Sequence, residues 1–488
     1  MTALSIATLL EIAHILVVFS LGARVIMRNL EPGVTLAWLL LIAVFPLFGA
    51  LIYLLGGERP LGSRRASRIR ALRAPLNQCF MRLAREAGAD PSKLRPEQRR
   101  LAAIATRPTA LPLLESGKID IISGGQPIIR AIIADIENAQ ESCSMAFYIW
   151  NAGGVADEAA DALKRAAARG VQCRLLLDAV GSGDFLRTDQ VEQLRDAGVE
   201  VVVALPVGIV RALFVRVDLR LHRKIVVIDQ KIAYTGSMNM VDPYYFKRNA
   251  GVGEWVDAML RFTGPPVAAL DAVFLESWAA EPLTPLQPDE IAIAGRAQPR
   301  PEPASSARCC VITPSGPENP VDSVRRLVVN AIYEAREEIV VTTPYFVPDV
   351  PVLEALESAA IRGVAVTLIL PARNDSKLVR YASRSYFDSL LRAGVRILRF
   401  EDGLLHTKSL TTDGRTTIFG TFNLDIRSMR LNFEVAALIF DEETTRAVRA
   451  LQASYEMRSH AVDLARWRER PARERFLESA LRIASPLL

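Results

Sequence analysis

The stretch "LHRKIVVID" (221–229) contains one of the four histidines in this chain of 488 residues. A second stretch, "LHTKSLTTD" (405–413), repeats its pattern, so that each copy reads H-x-K-x4-D. Two of four histidines fitting one template are hard to assign to chance, and the repeat indicates two equivalent half-sites. The motif positions are His222, Lys224, Asp229, His406, Lys408 and Asp413.

Each copy is followed by a small-residue turn and then by a strand that carries a carboxylate. The turns read "TGSMN" (235–239) and "GTFN" (420–423), and the later strands read "EWVDAM" (254–259) and "NFEVAA" (432–437). We predict that the turns donate hydrogen bonds to a phosphate and that the carboxylates orient the histidines. The predicted phosphate donors are Ser237, Asn239, Thr421 and Asn423, and the predicted orienting carboxylates are Asp257 and Glu434.

A histidine beside a lysine, present twice, suits phosphoryl chemistry. One neutral imidazole can attack phosphorus and form a covalent intermediate, and the other, when protonated, can donate to the leaving oxygen and then activate the acceptor. The lysines would stabilise charge on the non-bridging oxygens. Asp229 and Asp413 are counted with the catalytic motif, although their place beyond a turn favours a local structural role. The sequence has no clustered metal ligands, so we predict a mechanism without metal or cofactor.

From residue 110 onward the sequence alternates segments typical of strands with segments typical of helices. The order seen in the first half recurs in the second, which indicates a duplicated domain rather than a short repeat. Such alternation predicts an α/β fold with mostly parallel sheets and helices on both faces. The duplication predicts two pseudo-symmetric αβα sandwich domains that share one active site.

The N-terminus is strongly apolar. Residues 2–22 and 34–55 are each about one bilayer thickness long if helical, and they predict a two-helix transmembrane hairpin. A cleaved signal peptide is the alternative for the first segment, but "MTALS" lacks a positive n-region. An arginine cluster follows the second segment and predicts that everything after it faces the cytoplasm. The cluster includes Arg64, Arg65 and Arg68, which we predict to contact anionic lipid headgroups.

These features divide the chain into five predicted segments. Residues 281–303 carry six prolines, which is a composition typical of a linker. The predicted segments are the two transmembrane helices (1–57), a basic connector (58–109), the first domain (110–280), a proline-rich linker (281–307) and the second domain with a basic and apolar tail (308–488).

Charge and cysteine content exclude some classes of protein. The net charge of +5 is mild and does not itself indicate nucleic-acid binding. The five cysteines are odd in number and form no C-x-x-C pair, which argues against a disulfide scaffold or a zinc site.

Taken with their surroundings, these motifs resemble the phospholipase D superfamily, in which two H-x-K-x4-D motifs lie in one bilobed fold. More narrowly, the chain resembles bacterial cardiolipin synthases of the long form with two N-terminal spans. The stretches that carry this resemblance are "AWLLLIAVFPLFGALIYLLGG", "DLRLHRKIVVIDQKIAYTGSMNMVDP", "AGVGEWVDAM", "TPYFVPD", "PARNDSKLVRYASRSYFDSLLRAGV" and "GLLHTK".

The resemblance implies that two phosphatidylglycerol molecules are joined to give cardiolipin and glycerol, through a phosphohistidine. It also implies a multi-pass protein of the bacterial inner membrane that binds the anionic lipids phosphatidylglycerol and cardiolipin and no nucleic acid. We assign His222 as nucleophile and His406 as acid/base, and the reverse assignment stays open. A phospholipase D-type hydrolase or another phosphatidyltransferase is the nearest alternative, and a tethered nuclease or a non-catalytic scaffold is a more distant one.

The first half contains about a dozen more residues before its histidine than the second half does. The extra residues lie in "LPVGIVRALFVRVDLRL" (205–221), which is apolar and basic. We hypothesise that Arg211 and Arg216 in this stretch contact the membrane. An additional buried strand or helix is the alternative interpretation.

Overall fold

The computed structural model describes residues 6–28, 30, 32–57, 63–208, 218–282, 308–317 and 322–483. The predicted linker falls almost wholly outside these residues, and so do Arg211 and Arg216. The chain divides into two compact units, of which the smaller comprises residues 1–66 with 207–219 and the larger comprises residues 67–206 with 220–488.

The smaller unit contains three apolar helices, α1 (Ile6–Met27), α2 (Pro32–Val44) and α3 (Pro46–Ile52), and a π-helical turn, Tyr53–Gly57. The second predicted span is thus divided between α2 and α3, because Phe45 (φ −129°, ψ 72°) leaves the helical conformation and a proline follows. Among the described residues, no helix combines the length and the apolar character needed to cross a membrane. The two membrane spans stay a prediction.

The larger unit begins with helices and continues into a first α/β half. Its helices are α4 (Ser63–Ala87), α5 (Pro96–Thr109), α6 (Gly125–Glu137), α7 (Val155–Ala168), α8 (Asp189–Asp196) and α9 (Pro266–Ala279). Its strands are β1 (Leu114–Glu115), β2 (Ile119–Ser123), β3 (Ser142–Phe147), β4 (Gln172–Asp178), β5 (Glu200–Ala204), β6 (Ile225–Ile228), β7 (Ile232–Gly236), β8 (Trp255–Val256) and β9 (Ala258–Thr263). Seven of them form one sheet with the order β2-β9-β7-β6-β3-β4-β5.

The second half repeats this arrangement. Its helices are α10 (Ser323–Glu334), α11 (Val350–Ile361), α12 (Lys377–Arg384), α13 (Phe387–Ala393), α14 (Ile426–Arg430), α15 (Glu442–Glu456), α16 (Leu464–Arg468) and α17 (Ala472–Ile483). Its strands are β10 (Cys309–Ser315), β11 (Glu338–Thr342), β12 (Phe346–Val347), β13 (Ala365–Pro371), β14 (Arg396–Phe400), β15 (Leu404–Leu405), β16 (Ser409–Thr412), β17 (Thr416–Gly420), β18 (Leu424–Asp425), β19 (Glu434–Ile439) and β20 (Ser459–Ala461).

The second large sheet has the order β1-β10-β19-β17-β16-β11-β13-β14-β20. Without its edge strands β1 and β20, this order matches the first sheet strand by strand, which confirms the predicted duplication of an α/β domain. Strands of the second half are covered on both faces. Ile339 and Val341 pack in one apolar cluster, whereas Val340 packs in another with Tyr455 of α15.

Both sheets are mixed, so the prediction of mostly parallel sheets is wrong. Within the two large sheets, parallel pairing is confined to β3-β4-β5 and β11-β13-β14. Strands β6 and β16, which follow the H-x-K residues, instead turn back at once into β7 and β17. A tight hairpin of this kind joins only antiparallel strands. Asp229 and Asp413 begin these turns with φ of 50° and 52°, a left-handed conformation that aspartate tolerates.

Several helices and strands of one half of the sequence pack against the other half. Leu101 of α5 packs in the core of the second half, and β1 pairs with β10. Helix α9 is buried along almost its whole length and contacts strands of both sheets. Helix α15 likewise contacts strands of its own sheet and β2 of the other. The two halves are therefore built as one body.

Candidate active site

Short parallel strand pairings bring each H-x-K motif beside the carboxylate strand of the opposite half. Strand β15, which precedes His406, pairs with β8, which precedes Asp257. Leu221 forms the equivalent parallel bridge with Phe433. The backbone N–H of His406 donates to the carbonyl of Val256 at 2.9 Å, and that of His222 donates to Phe433 at 2.9 Å. Both histidines are thereby held at the boundary between the two halves.

The predicted orienting carboxylates contact the histidines in a crossed arrangement. Nδ1 of His222 lies 2.8 Å from Oε1 and 2.9 Å from Oε2 of Glu434. Nδ1 of His406 lies 2.7 Å from Oδ1 of Asp257. A carboxylate only accepts hydrogen bonds, so each Nδ1 carries the proton and each Nε2 keeps its lone pair for substrate. Each imidazole is therefore oriented by a residue from the other half.

The hydroxyls predicted to bind phosphate have another partner in the structure. Ser237 Oγ donates to Oδ1 of Asp257 at 2.6 Å, and Thr421 Oγ1 donates to Oε2 of Glu434 at 2.5 Å. Both side chains are fully buried. The glycine before each hydroxyl is needed because a Cβ on Gly236 or Gly420 would overlap a carbonyl oxygen of the next strand. The turns thus position the carboxylates behind the histidines.

The two predicted asparagines are also buried, but they differ in their contacts. Asn239 accepts a hydrogen bond from the backbone N–H of Ile149 through Oδ1 at 3.2 Å. Asn423 hydrogen-bonds the carboxylate of Asp425, while its Oδ1 has no hydrogen-bond partner within the part of the chain that the structure describes. Burial raises the pKa of Asp425 to about 6.

The two lysines fold back onto their own histidines. Lys224 Nζ donates to the carbonyl of His222 at 2.8 Å, and Lys408 Nζ donates to the carbonyl of His406 at 2.7 Å. Burial, partly opposed by nearby carboxylates, lowers the pKa of Lys224 to about 7 and that of Lys408 to about 8. An anion that entered this site would restore the charged form of both lysines.

Burial also sets the protonation of the histidines. It lowers the pKa of His222 to about 4 and that of His406 to about 4, with the neighbouring lysines lowering them further and the paired carboxylates opposing the shift. For Asp257, burial acts to raise the pKa, but His406, Lys408 and the Ser237 hydroxyl together bring it below its ordinary value. Both imidazoles are therefore neutral near neutral pH.

Aromatic side chains that the sequence interpretation missed line the two histidines. The ring of Tyr148 meets His222 edge-on at a centroid distance of 5.0 Å, and Trp255 lies 4.5 Å from His406. Trp255 lies two residues before Asp257 in "EWVDAM", and this spacing could have indicated that its ring lies near the site. Tyr148 directly follows β3 and offered no pattern that separates it from a core aromatic residue.

A second group that was missed joins the halves near His406. Lys247 Nζ donates to Oδ2 of Asp375 at 2.8 Å, and the hydroxyl of Tyr345 donates to Oδ1 of Asp375 at 2.8 Å. Burial acts to raise the pKa of Asp375, but these partners, together with His406, hold it below its ordinary value. Only the tertiary structure brings these three residues together.

Asp229 and Asp413 lie at the far end of the strand that follows each lysine. Asp229 accepts hydrogen bonds from the backbone N–H groups of residues 140–142, and Asp413 accepts from those of residues 336–338. Six residues lie between each histidine and its aspartate, and four of these form a strand, so the two side chains are roughly 20 Å apart along the chain. We therefore propose the local structural role for both aspartates and not a catalytic one. They fix the start of β3 and β11.

The predicted headgroup arginines are only partly described. Arg65 is buried, and Arg68 donates to the carbonyl of Ala280 at 2.9 Å. The side chain of Arg64, like Arg211 and Arg216, lies outside the described residues. All five cysteines are buried free thiols. In the described ranges, no three His, Cys, Asp or Glu side chains lie close enough to hold a metal ion together.

Comparison with known proteins agrees with this geometry. Residues 132–255 and 328–454 match the family described as "Cardiolipin synthase, PLD-like domain", and residues 15–58 match "Phospholipase D-nuclease N-terminal". Cardiolipin synthase A of Serratia proteamaculans is 40% identical over 486 residues, which cover 99% of each chain. Cardiolipin synthase A of Cronobacter sakazakii is 41% identical over 493 residues, again with 99% coverage of each.

A solved structure shows the same fold at low sequence identity. Phosphatidylserine synthase of Haemophilus influenzae superimposes with a TM-score of 0.58 at 16% identity, covering 80% of this chain and 100% of that one. The family match spans both halves, and the relatives match along nearly the whole length. The chain belongs to the cardiolipin synthase family of the phospholipase D superfamily.

Proposed function

We propose that this protein synthesises cardiolipin by moving a phosphatidyl group from one phosphatidylglycerol to a hydroxyl of a second, with release of glycerol. The observation that carries the proposal is the crossed pair of histidines, each oriented by a carboxylate of the opposite half. Such a pair supplies one nucleophile and one proton donor to a single phosphorus atom.

In the first step, Nε2 of His222 attacks the phosphorus of the donor lipid. The bond from phosphorus to the glycerol oxygen breaks, and His406 donates a proton to that oxygen. Glu434 supports this assignment because it contacts His222 through both oxygens, and Asn432 also donates to Oε1 at 3.3 Å. A carboxylate held in this way stabilises the positive charge that the imidazole gains when it bonds to phosphorus.

In the second step, His406 is neutral and takes the proton from a hydroxyl of the acceptor lipid. The acceptor oxygen then bonds to phosphorus, and the bond to His222 breaks, which returns both histidines to their first state. Asp257 holds His406 through one oxygen and so fixes the tautomer that can pass a proton in both directions. Water in place of the acceptor would give phosphatidic acid.

Lys224 and Lys408 stabilise the negative charge that the non-bridging oxygens carry in the transition state. Their lowered pKa values mean that a phosphodiester recruits protons to them as it binds. His406 gains the proton that it must donate from the same effect, since a nearby anion favours its charged form. Asn239 and Asn423 add neutral donors at the same edge of the sheets, and Ser237 and Thr421 position the carboxylates.

We further propose that residues 2–22 and 34–55 anchor the enzyme in the bacterial inner membrane with the remainder in the cytoplasm. Large apolar side chains support this proposal, since Phe19, Leu47 and Phe48 are 75%, 78% and 63% exposed. We keep headgroup contact as a proposal for Arg64, Arg211 and Arg216. The segment limits 1–57, 58–109, 110–280, 281–307 and 308–488 are proposed with it.

The topology can be tested with two C-terminal fusions of the full chain. A cytoplasmic C-terminus gives fluorescence from a green fluorescent protein fusion and no activity from an alkaline phosphatase fusion. The reverse result, or release of the chain from membranes by alkaline carbonate, contradicts the anchoring proposal.

The activity test uses the full chain in detergent with labelled phosphatidylglycerol as the sole lipid and no nucleotide. Equal amounts of cardiolipin and glycerol are expected, and both are lost in His222→Ala and in His406→Ala. His460→Ala is the matched control because His460 is exposed on β20. Phosphatidic acid as the only product would identify a hydrolase, and no product would exclude this donor.

A further inference from the structure

A cavity in the second half is lined by three arginines that the mechanism above does not use. Arg380 and Arg384 come from α12 and Arg399 from β14, and Asn374 and Ser383 add neutral polar groups. The cavity itself has a volume of about 30 Å³ and is partly open to solvent. Guanidinium groups that converge on one opening are the side chains that proteins use to bind phosphate.

The positive charge at this cavity is incompletely neutralised. Arg384 is paired, since its Nε lies 2.8 Å from Glu478 and its Nη2 lies 3.1 Å from Glu474. Arg399 donates to the carbonyl of Ala372 at 2.6 Å, and neither it nor Arg380 has a carboxylate within salt-bridge distance in the described part of the chain. Burial lowers the pKa of Arg399, and the guanidiniums of Arg384 and Arg380 lower it further, while the more distant carboxylate of Glu401 opposes the shift. A partly buried guanidinium without a carboxylate in contact can accept an anionic ligand.

The cavity lies at the same edge of the sheet as the candidate active site. Strands β11, β13 and β14 are parallel, so their carboxyl ends meet at one edge. Thr342 at the end of β11 pairs with Ser409, which directly follows Lys408. Leu370 and Pro371 at the end of β13 line the cavity. Two strand spacings separate β13 from β16, about 10 Å in the hydrogen-bonding direction.

Two residues of the cavity lining are chain neighbours of residues near His406. Pro344 and Asn374 line the cavity, and Asn374 Nδ2 donates to the carbonyl of Pro344 at 2.9 Å. Their chain neighbours Tyr345 and Asp375 hydrogen-bond each other, and Asp375 also accepts from Lys247. Asp375 is close enough to His406 for the histidine to help lower its pKa. The lining of the cavity and the group beside His406 are therefore adjacent along the chain at two places.

We infer that this cavity binds the phosphodiester of the acceptor lipid, while the donor phosphate occupies the two-histidine site. This inference rests on the proposed function, in which both substrates are anionic lipids with a glycerol headgroup. Arg399 and Arg380 hold the acceptor phosphate, and the acceptor glycerol reaches past Asn374 toward His406. No bond is made or broken in the cavity. The covalent step remains the attack of the acceptor oxygen on the phosphohistidine.

The test compares Arg399→Gln and Arg380→Gln with Arg396→Gln in the full chain. Arg380 and Arg396 are exposed, so their substitution leaves the fold intact, and Arg396 lies on the same strand as Arg399. The assay uses labelled phosphatidylglycerol in mixed micelles at a concentration below saturation. Under these conditions, the ratio of cardiolipin to phosphatidic acid should be at least tenfold lower in both cavity variants than in wild type. Their first-turnover release of glycerol should stay within twofold of wild type, and Arg399→Lys should recover part of the ratio.

Unchanged product ratios in both cavity variants would overturn the inference, and so would an equal fall in Arg396→Gln. Thermal unfolding with dioctanoylphosphatidylglycerol or with inorganic phosphate distinguishes the two sources of phosphate. The lipid should raise the Tm of wild type more than that of Arg399→Gln. A larger Arg399-dependent shift with inorganic phosphate would make the cavity a free-phosphate site instead. If wild type forms no cardiolipin from phosphatidylglycerol, the proposed function itself fails.

Discussion

His222 and Glu434 are separated by 212 positions in the sequence, yet Nδ1 of the histidine lies 2.8 Å from Oε1 of the carboxylate. His406 and Asp257 form the reciprocal pair across 149 positions. Each half of the chain therefore contributes an imidazole to one pair and a carboxylate to the other, and neither half contains a complete pair.

Replacing Glu434 with glutamine should remove the charge that orients and stabilises His222 while keeping its shape. We expect the turnover number to fall by roughly 10²–10⁴-fold, as for other acid–base groups that lose their orienting carboxylate. Steady-state turnover of phosphatidylglycerol measures this change. Glu442→Gln is the matched control, because Glu442 is an exposed carboxylate of the same half. A fall of less than threefold would contradict the role of Glu434.

The pair should also behave as a single unit when both members are changed. His222→Ala removes the group that Glu434 orients, so the double variant His222→Ala/Glu434→Gln should be no slower than His222→Ala alone. The double variant His222→Ala/Asp257→Asn serves as the comparison, because its two residues belong to different pairs. A four-variant cycle of turnover numbers measures the coupling, and strictly additive losses in the first pair would refute it.

The lysines predict how activity depends on pH. The pKa of Lys224 is lowered to about 7 and that of Lys408 to about 8, so both become neutral as pH rises through this range. Because the phosphate needs the charged forms, kcat/KM should fall as pH increases above about 7, and more steeply above about 8, and substrate binding should take up protons. Calorimetry in buffers of different ionisation enthalpy measures the uptake at pH 8. Proton release, or a flat profile from pH 6 to 10, would contradict this account.

Asp229 should matter for stability and not for chemistry. Its carboxylate accepts three backbone N–H groups ahead of β3, so Asp229→Ala leaves them unpaired. We expect a loss of about 3 kcal/mol in the free energy of unfolding. Asp229→Asn, which keeps one acceptor, should lose less. Denaturant unfolding measures both, and activity per folded molecule should stay within a few-fold of wild type.

Much of this arrangement could be predicted because the motifs are local. The H-x-K spacing, the carboxylate positions and the duplication are all visible in short stretches. The direction of the strands could not be predicted, because alternating helices and strands also occur in mixed sheets. The hairpin after each lysine depends on a left-handed turn at Asp229 and Asp413. The partners of Ser237 and Thr421 were also missed, because a hydroxyl donates equally well to a carboxylate and to a phosphate.

The residues that sequence interpretation could not find are those joined only by the tertiary structure. Lys247, Asp375 and Tyr345 lie in three separate segments without a shared spacing, and the arginines of the cavity resemble an ordinary basic helix face. Their proposed roles become visible only in the structure, where parallel strands end together at one edge of the sheet.

If the crossed pairs act as proposed, they also determine when a newly made chain becomes reactive. His222 is synthesised more than two hundred residues before Glu434, and β19, which carries that carboxylate, is among the last strands of the sheet to emerge from the ribosome. A truncated chain that ends before β19 has a histidine without its orienting partner. In the proposed mechanism, reactivity toward phosphodiesters therefore begins only when the second half has folded onto the first, and incomplete chains should be inactive.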